Sequence, residues 1–119
     1  MRILVVEDVE VTRFLIYELL EDLGHDVILS SDGHEALQIL EESNLQMEVI
    51  FMDIHMPVLD GISATKIIRE KEEYKHVPII VLTSDVLNLA GNEELTTLFS
   101  GYLFKPVSRD KLIDVLNRI

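Results

Sequence analysis

The chain contains no cysteine, and basic residues are scarce in it. Without cysteine it has no disulfide framework, no thiolate metal site and no thiol nucleophile. Ten Lys and Arg residues stand against 22 Asp and Glu residues among 119, which gives a formal net charge of −12. Because nucleic-acid and anionic-membrane surfaces depend on clustered Lys and Arg, we expect neither nucleic acid nor a membrane as a partner.

Long apolar runs are also missing. The apolar part of "MRILVVED" is too short for a signal peptide, and no stretch reaches the length of a transmembrane helix. We therefore expect a cytoplasmic location. A hydrophobic fraction of 48% and a charged fraction of 27% are typical of a folded globular chain, and the length predicts one domain over residues 1–119.

Short apolar runs alternate with segments of helical period. The runs are "ILVV", "VIL", "EVIFM", "VPIIVLT" and "YLF". Five such strands, each followed by a helical segment, predict right-handed βαβ units and one parallel sheet with helices on both faces, that is, an α/β fold. If the strand order is 2-1-3-4-5, the first, third and fourth strands are neighbours.

Apolar spacing also predicts which side chains each helix buries. In the first helix Val11, Leu15, Leu19 and Leu23 recur at every fourth position before Gly24. The third helix is expected to point Ile62, Ile67 and Ile68 inward and to end in a solvated "REKEEY". A fourth helical region spans 85–99. The last helix is expected to begin at a Ser108 cap and to bury apolar residues at Leu112, Val115, Leu116 and Ile119.

Polar side chains follow the carboxyl ends of the predicted strands. Glu7 and Asp8 follow the first strand, Asp53 the third, Thr83 ends the fourth, and Lys105 follows the fifth. Open parallel sheets bind ligands at this edge, so these groups are expected to gather there. Clustered carboxylates are costly without a cation, and Mg²⁺ prefers oxygen ligands. The set suits a phosphoryl group on Asp53, with a metal and Lys105 neutralising its oxygens and Thr83 donating to one of them.

The sequence resembles the receiver domain of two-component response regulators over essentially its whole length. Four segments carry the resemblance: "VVED", "FMDIHMPVLDG", "VLTS" and "YLFKP". It implies a flavodoxin-like (βα)₅ fold and a phosphoacceptor role for Asp53. It also implies Mg²⁺, or Mn²⁺ in its place, bound by Asp8, Asp53 and the backbone carbonyl of His55, with Glu7 acting through a metal-bound water.

The resemblance implies a signalling part for the remaining residues and for the partners. Thr83 and Lys105 would hold the phosphoryl oxygens, and Tyr102 would turn inward when Thr83 is drawn to the phosphate. The donor would be a sensor histidine kinase or a histidine phosphotransfer protein. The output would be a shift of the surface formed by the fourth helix, fifth strand and last helix, read by a downstream protein effector. The side chains of His55 and Asp85 are expected to tune the hydrolysis of the acyl phosphate.

Two other classes of function remain open. A metal-dependent aspartyl-phosphate phosphohydrolase resembles an Asp-x-Asp pattern, but here His55 occupies the second position and no cap insertion is present. A receiver-like binding module that has lost phosphorylation would act by protein contacts alone. The intact acidic, hydroxyl and lysine groups argue against this alternative. The sequence thus favours a signalling phosphoacceptor that catalyses only its own phosphorylation and slow dephosphorylation, rather than an enzyme.

Overall fold

A computed structural model describes residues 1–42, 46–84 and 93–119. Five parallel strands form one sheet in the order β2-β1-β3-β4-β5. The strands are β1 Arg2–Val6, β2 Asp26–Ser30, β3 Val49–Asp53, β4 Ile79–Thr83 and β5 Gly101–Phe104. This order confirms the predicted flavodoxin-like topology, in which β1 and β3 are neighbours inside the sheet and the order of strand addition reverses between them.

Helices cover both faces of the sheet and divide the core into two clusters. They are α1 Glu10–Asp22, α2 Gly33–Glu42, α3 Gly61–Glu70, α4 Glu93–Leu98 and α5 Arg109–Arg118, with a 3₁₀ turn at Glu72–Tyr74. Side chains of α2, α3 and α4 form one cluster with alternate strand residues, and those of α1 and α5 form the other. Both faces of the central strands are therefore buried, which explains their continuous apolar sequences. No helix in the described ranges is both long and apolar enough to span a bilayer.

The predicted apolar stripe of α1 is wrong in its first half. Val11 is 79% exposed and Leu15 is 41% exposed, whereas Ile16 and Leu20 are buried and the predicted Leu19 and Leu23 are partly buried against the core. A repeat of four residues drifts by about 40° per step from the helical period of 3.6, so the stripe begins away from the core and approaches it only toward the end of the helix. The end of the helix agrees with the sequence, because Gly24 has φ +91° and its N–H donates to the carbonyl of Glu21 at 2.9 Å.

The end of α3 differs from expectation in two ways. Ile67 is 39% exposed, and the buried face comprises Ala64, Thr65 and Ile68. Arg69 is not simply solvated: its guanidinium donates to the carbonyl of Leu98 at the end of α4 (2.8 and 3.0 Å) and to that of Val77 (2.6 Å). An arginine can satisfy several carbonyls at once through its planar fork of donors, so Arg69 ties α3 to α4.

The last helix begins where the sequence predicts. The Ser108 hydroxyl oxygen accepts the N–H of Lys111 at 3.3 Å, and Leu112, Val115 and Leu116 are buried. Ile119 is 42% exposed, contrary to the prediction, because it lies beyond the last helical turn. Of the predicted fourth helical region, residues 85–92 lie outside the described ranges, and α4 begins at Glu93.

Replacement of Thr65 by valine is expected to stabilise the protein. The Thr65 side chain is fully buried in α3, and its hydroxyl has no hydrogen-bond partner within the described ranges. A buried hydroxyl without a partner loses its hydration without compensation, so an isosteric methyl group should raise the free energy of unfolding by about 1 kcal/mol. Urea denaturation measures the change.

The matched control is Thr97→Val on the exposed surface of α4, which should change stability by no more than about 0.5 kcal/mol. A loss of stability in Thr65→Val would show that the hydroxyl is satisfied in solution.

Candidate functional site

Three carboxylates meet at the carboxyl edge of the central strands. Glu7 and Asp8 directly follow β1, and Asp53 ends β3. Because Val6 is paired with Met52, the two strand ends lie side by side. Oxygens of all three carboxylates lie within 4.8 Å of one another. Glu7 is fully buried and Asp53 is 3% exposed, so water screens their mutual repulsion poorly.

Lys105 brings a positive charge to this cluster. It follows the last residue of β5, and its backbone N–H donates to the carbonyl of Thr83 at 2.8 Å. Its Nζ lies 2.6 Å from Oε1 of Glu7 and 3.6 Å from Oδ2 of Asp53. The lysine therefore spans from the edge strand, past β4, to the middle of the sheet, and it partly neutralises the two most buried acids.

Thr83 and Tyr102 lie on one face of the sheet. Thr83 is buried at the end of β4, one residue beyond Leu82, the partner of Asp53 in the sheet. Tyr102 is paired with Val81, and side chains two residues apart on a strand share a face, so the phenol ring points to the same side as the Thr83 hydroxyl. The ring is 58% exposed. Thr83 and Tyr102, the two residues of the predicted switch, therefore lie on adjacent strands with their side chains on the same face of the sheet.

His55 lies at the rim of the site. Its backbone N–H donates to Oδ1 of Asp53 at 3.3 Å, while its side chain is exposed. Asp85, the other residue expected to influence hydrolysis, lies outside the described ranges. The backbone at His55 therefore helps to fix the orientation of the Asp53 carboxylate.

The clustering of the acids shifts two of their pKa values. Burial, followed by hydrogen bonds that a protonated Asp53 donates to Glu7 and Asp8 and by the negative charge of Glu7, raises the pKa of Asp53 to about 8, against a smaller opposing effect of Lys105. Burial also raises the pKa of Asp8, but hydrogen bonds with Asp53 and Glu7 outweigh it and hold this pKa below its usual value.

The residues fit a divalent cation. The carboxylates offer at least three oxygens within reach of one ion, and within the described ranges Oε1 of Glu7 is buried against the Lys105 ammonium group. A cation at this point would offset the negative charges that, together with burial, raise the pKa of Asp53. Hard oxygen ligands favour Mg²⁺ over softer metals.

Sequence reasoning missed two residues that shape the site. Arg13 of α1 donates from Nη1 to the carbonyl of Glu7 at 2.8 Å. Gly61 at the start of α3 lies so close to the Asp53 carbonyl that a Cβ there would collide with it. An arginine that binds carbonyls has no sequence signature, whereas the glycine stands in the quoted "FMDIHMPVLDG".

Comparison with known proteins identifies the family. Residues 3–117 match the response regulator receiver domain, and the chain belongs to this family. The receiver domain of sensor histidine kinase PA1611 from Pseudomonas aeruginosa, whose crystal structure has a magnesium ion in the active-site cleft, is 40% identical with a TM-score of 0.86; the match covers 98% of this chain and 94% of that one. Chemotaxis protein CheY4 of Vibrio cholerae is 30% identical with a TM-score of 0.89, over 99% of this chain and 97% of that one.

Relatives with known names include much longer proteins. The CAI-1 autoinducer sensor kinase/phosphatase CqsS of Vibrio cholerae is 38% identical over 114 residues, which are 95% of this chain and 16% of that protein. The expected resemblance is therefore confirmed: this chain is a receiver domain of the kind found in two-component phosphorelay signalling, and receiver domains bind Mg²⁺ at their acidic site.

The raised pKa of Asp53 predicts how the stability of the metal-free protein depends on pH. Between about pH 4, where an unfolded Asp titrates, and about pH 8, the folded state binds more protons than the unfolded state, so the free energy of unfolding falls as pH rises. Asp53→Asn removes this titration. In EDTA the variant should be more stable than the parent at pH 8, and the difference should shrink toward pH 4.

Thermal unfolding over this pH range measures the effect. Unfolding in saturating Mg²⁺ provides the control. Because the ion favours the charged site of the parent, it should narrow or reverse the difference in stability between the variant and the parent. Identical pH profiles for the parent and the variant would contradict a raised pKa at Asp53.

Proposed function

We propose that this receiver accepts a phosphoryl group on Asp53 from a phosphohistidine donor, in a Mg²⁺-dependent reaction. The observation that carries the proposal is the position of Asp53, a buried carboxylate within contact of Lys105 and two further acids. The donor is either a sensor histidine kinase or a histidine phosphotransfer protein. Mn²⁺ is expected to substitute for Mg²⁺ at the same oxygen ligands.

Each residue of the site has a distinct part in the transfer. Asp8, Asp53 and the backbone carbonyl of His55 would hold the ion, with Glu7 acting through a bound water. The ion supplies charge neutralisation for the phosphoryl oxygens. An oxygen of Asp53 attacks phosphorus in line, the bond from phosphorus to the imidazole nitrogen breaks, and the imidazole leaves with the electron pair. Lys105 neutralises the transferring oxygens, and the Thr83 hydroxyl donates to one of them.

The product is an acyl phosphate that water later hydrolyses. Attack of water on phosphorus releases inorganic phosphate and restores the Asp53 carboxylate. The exposed His55 side chain lies two residues beyond Asp53, at the rim across which water approaches. We infer that it influences the lifetime of the phosphorylated form rather than its formation.

Phosphorylation of Asp53 is tested with a small phosphodonor such as acetyl phosphate in the presence of Mg²⁺. The parent should gain the mass of one phosphoryl group in a base-labile linkage, and Asp53→Asn should gain none. Asp114→Asn is the matched control, because Asp114 is an exposed acid of α5 paired with Arg118; it should be labelled like the parent.

The same experiment separates the other two functions. Rapid multiple turnover of the phosphodonor would indicate a phosphohydrolase. Absence of label in the parent would indicate a binding module that acts without phosphorylation, and label in Asp53→Asn equal to that of the parent would exclude Asp53 as the acceptor.

We further propose that phosphorylation changes the surface formed by α4, β5 and α5. Thr83 and Tyr102 share a sheet face, and a cavity of about 270 Å³, lined partly by Val81, Leu95 and Phe99, borders the exposed Tyr102 ring. When the phosphoryl group draws the Thr83 hydroxyl toward it, space for the ring opens on that face. A downstream protein would bind the altered surface.

Substitution of Thr83 should uncouple the ring from the phosphoryl site. With Mg²⁺ and beryllofluoride as a phosphoryl mimic, NMR resonances of the Tyr102 ring should shift in the parent and in Thr83→Ser, which keeps the hydroxyl. In Thr83→Ala the mimic should still bind, but the ring resonances should stay near their unliganded positions. A full shift of the ring in Thr83→Ala would exclude the hydroxyl as the link.

A further inference from the structure

We propose that Arg13 is a positioning residue of the site, and that its guanidinium holds the turn between β1 and α1 so that Glu7 and Asp8 face Asp53. The inference rests on the proposed role of this cluster in holding Mg²⁺. Arg13 itself contacts neither the ion nor the phosphoryl group in this scheme. It acts through the main chain of the two acids.

The contacts of Arg13 are with the backbone of the acidic pair. From α1, its Nη1 donates to the carbonyl oxygen of Glu7 at 2.8 Å and, at a longer 3.5 Å, to that of Asp8. Both carbonyls belong to the residues whose side chains enter the metal cluster. Rotation of either peptide group would redirect the side chain of the residue to which it belongs. A donor that fixes the two carbonyls therefore also fixes the directions of the Glu7 and Asp8 carboxylates.

Within the described ranges the carbonyls of Glu7 and Asp8 have few other restraints. The helix cap is Val9, which offers no side-chain acceptor to the first turn of α1, although its carbonyl accepts the backbone N–H of Arg13 at 2.9 Å. The Glu7 N–H donates to the carbonyl of Ser30 at 3.1 Å, the Val9 N–H donates to Oε2 of Glu7 at a long 3.4 Å, and Lys105 holds the Glu7 carboxylate rather than its peptide group. The Arg13 guanidinium makes the shortest described contact to the carbonyls of Glu7 and Asp8, so its loss leaves these two peptide groups with weak restraint.

The dipole of α1 does not explain the presence of an arginine at position 13. Arg13 lies at the positive, N-terminal end of α1, where a cation is unfavourable by a few tenths to about 1 kcal/mol. Within the described ranges its guanidinium forms no ion pair with a carboxylate, whereas Arg2, Lys71, Lys75, Lys105 and Arg118 do. The bonds to the two carbonyls are therefore what the arginine contributes at this place.

Charge and positioning predict opposite effects on Mg²⁺ affinity. The positive charge of Arg13 near the cluster repels a divalent cation, so loss of the charge alone should tighten Mg²⁺ binding. Loss of the fixed turn should weaken binding, because the carboxylates of Glu7 and Asp8 no longer converge. Substitutions that orient metal ligands indirectly typically cost about 10-fold to 100-fold in affinity.

The test compares Arg13→Met, which keeps the aliphatic stem but removes the charge and the donors, with Arg13→Lys, which keeps the charge but whose shorter side chain ends before the position of Nη1. Calorimetric titration with Mg²⁺ should give weaker binding for both variants, by about 10-fold or more for Arg13→Met. Labelling by acetyl phosphate should need more Mg²⁺ for half-maximal rate, while the rate at saturating Mg²⁺ changes less. Arg118→Met, which removes an exposed arginine of α5, should bind Mg²⁺ like the parent.

The outcomes distinguish a positioning role of Arg13 from an effect of its charge alone. Arg13→Met that binds Mg²⁺ as tightly as the parent, or more tightly, overturns the proposal, and so does Arg13→Lys that matches the parent. All titrations are made at a temperature at which circular dichroism shows each variant folded; if Arg13→Met does not fold, the affinity of Arg13→Lys decides. A parent that binds no Mg²⁺ and takes no label would instead overturn the proposed function of the site.

Discussion

The structure depends on the burial of like charges at one point. The buried carboxylates of Glu7 and Asp53 meet the half-buried Asp8, and their repulsion grows as the local dielectric falls. Burial, followed by the hydrogen bonds and negative charge of the neighbouring acids, raises the pKa of Asp53 to about 8, and Lys105 offsets only part of this rise. A site of this kind destabilises the fold unless it takes up positive charge, and that requirement favours the binding of a cation.

Much of this arrangement could be predicted from the sequence, because the rules that govern parallel sheets act on short segments. Apolar runs marked the strands, and the strand order determined which strand ends are neighbours. Glu7, Asp53 and Lys105 each continue a strand whose alternate residues belong to the core cluster packed against α1 and α5. The alternation of side chains therefore directs all three to the same side, which explains why a lysine from the edge strand reaches acids on two central ones.

The features that sequence reasoning missed are those set by tertiary contact. Ile67 and Ile68 are the same residue type, yet a rotation of about 100° between them exposes the first and buries the second. Arg13 and Arg69 were indistinguishable from solvated helix residues, because carbonyl acceptors occur at every position and leave no pattern in the side chains. Arg13 binds the carbonyl of Glu7 in the preceding turn, and Arg69 binds the carbonyl of Leu98 in another helix. Only the folded main chain brings these carbonyls within reach of the two guanidinium groups.

The same main-chain contacts connect the acidic cluster to the distal surface. Lys105 is joined to Asp53 through its ammonium group and to the carbonyl of Thr83 through its backbone N–H. The proposed phosphorylation of Asp53 would add negative charge that attracts this ammonium group, and the backbone of Lys105 directly follows the strand that carries Tyr102. On the other side Arg69 holds the end of α4 through the carbonyl of Leu98. Because that end of α4 is anchored, the proposed switch would act mainly on the side chains between the strands and α4, where the cavity beside Tyr102 leaves room.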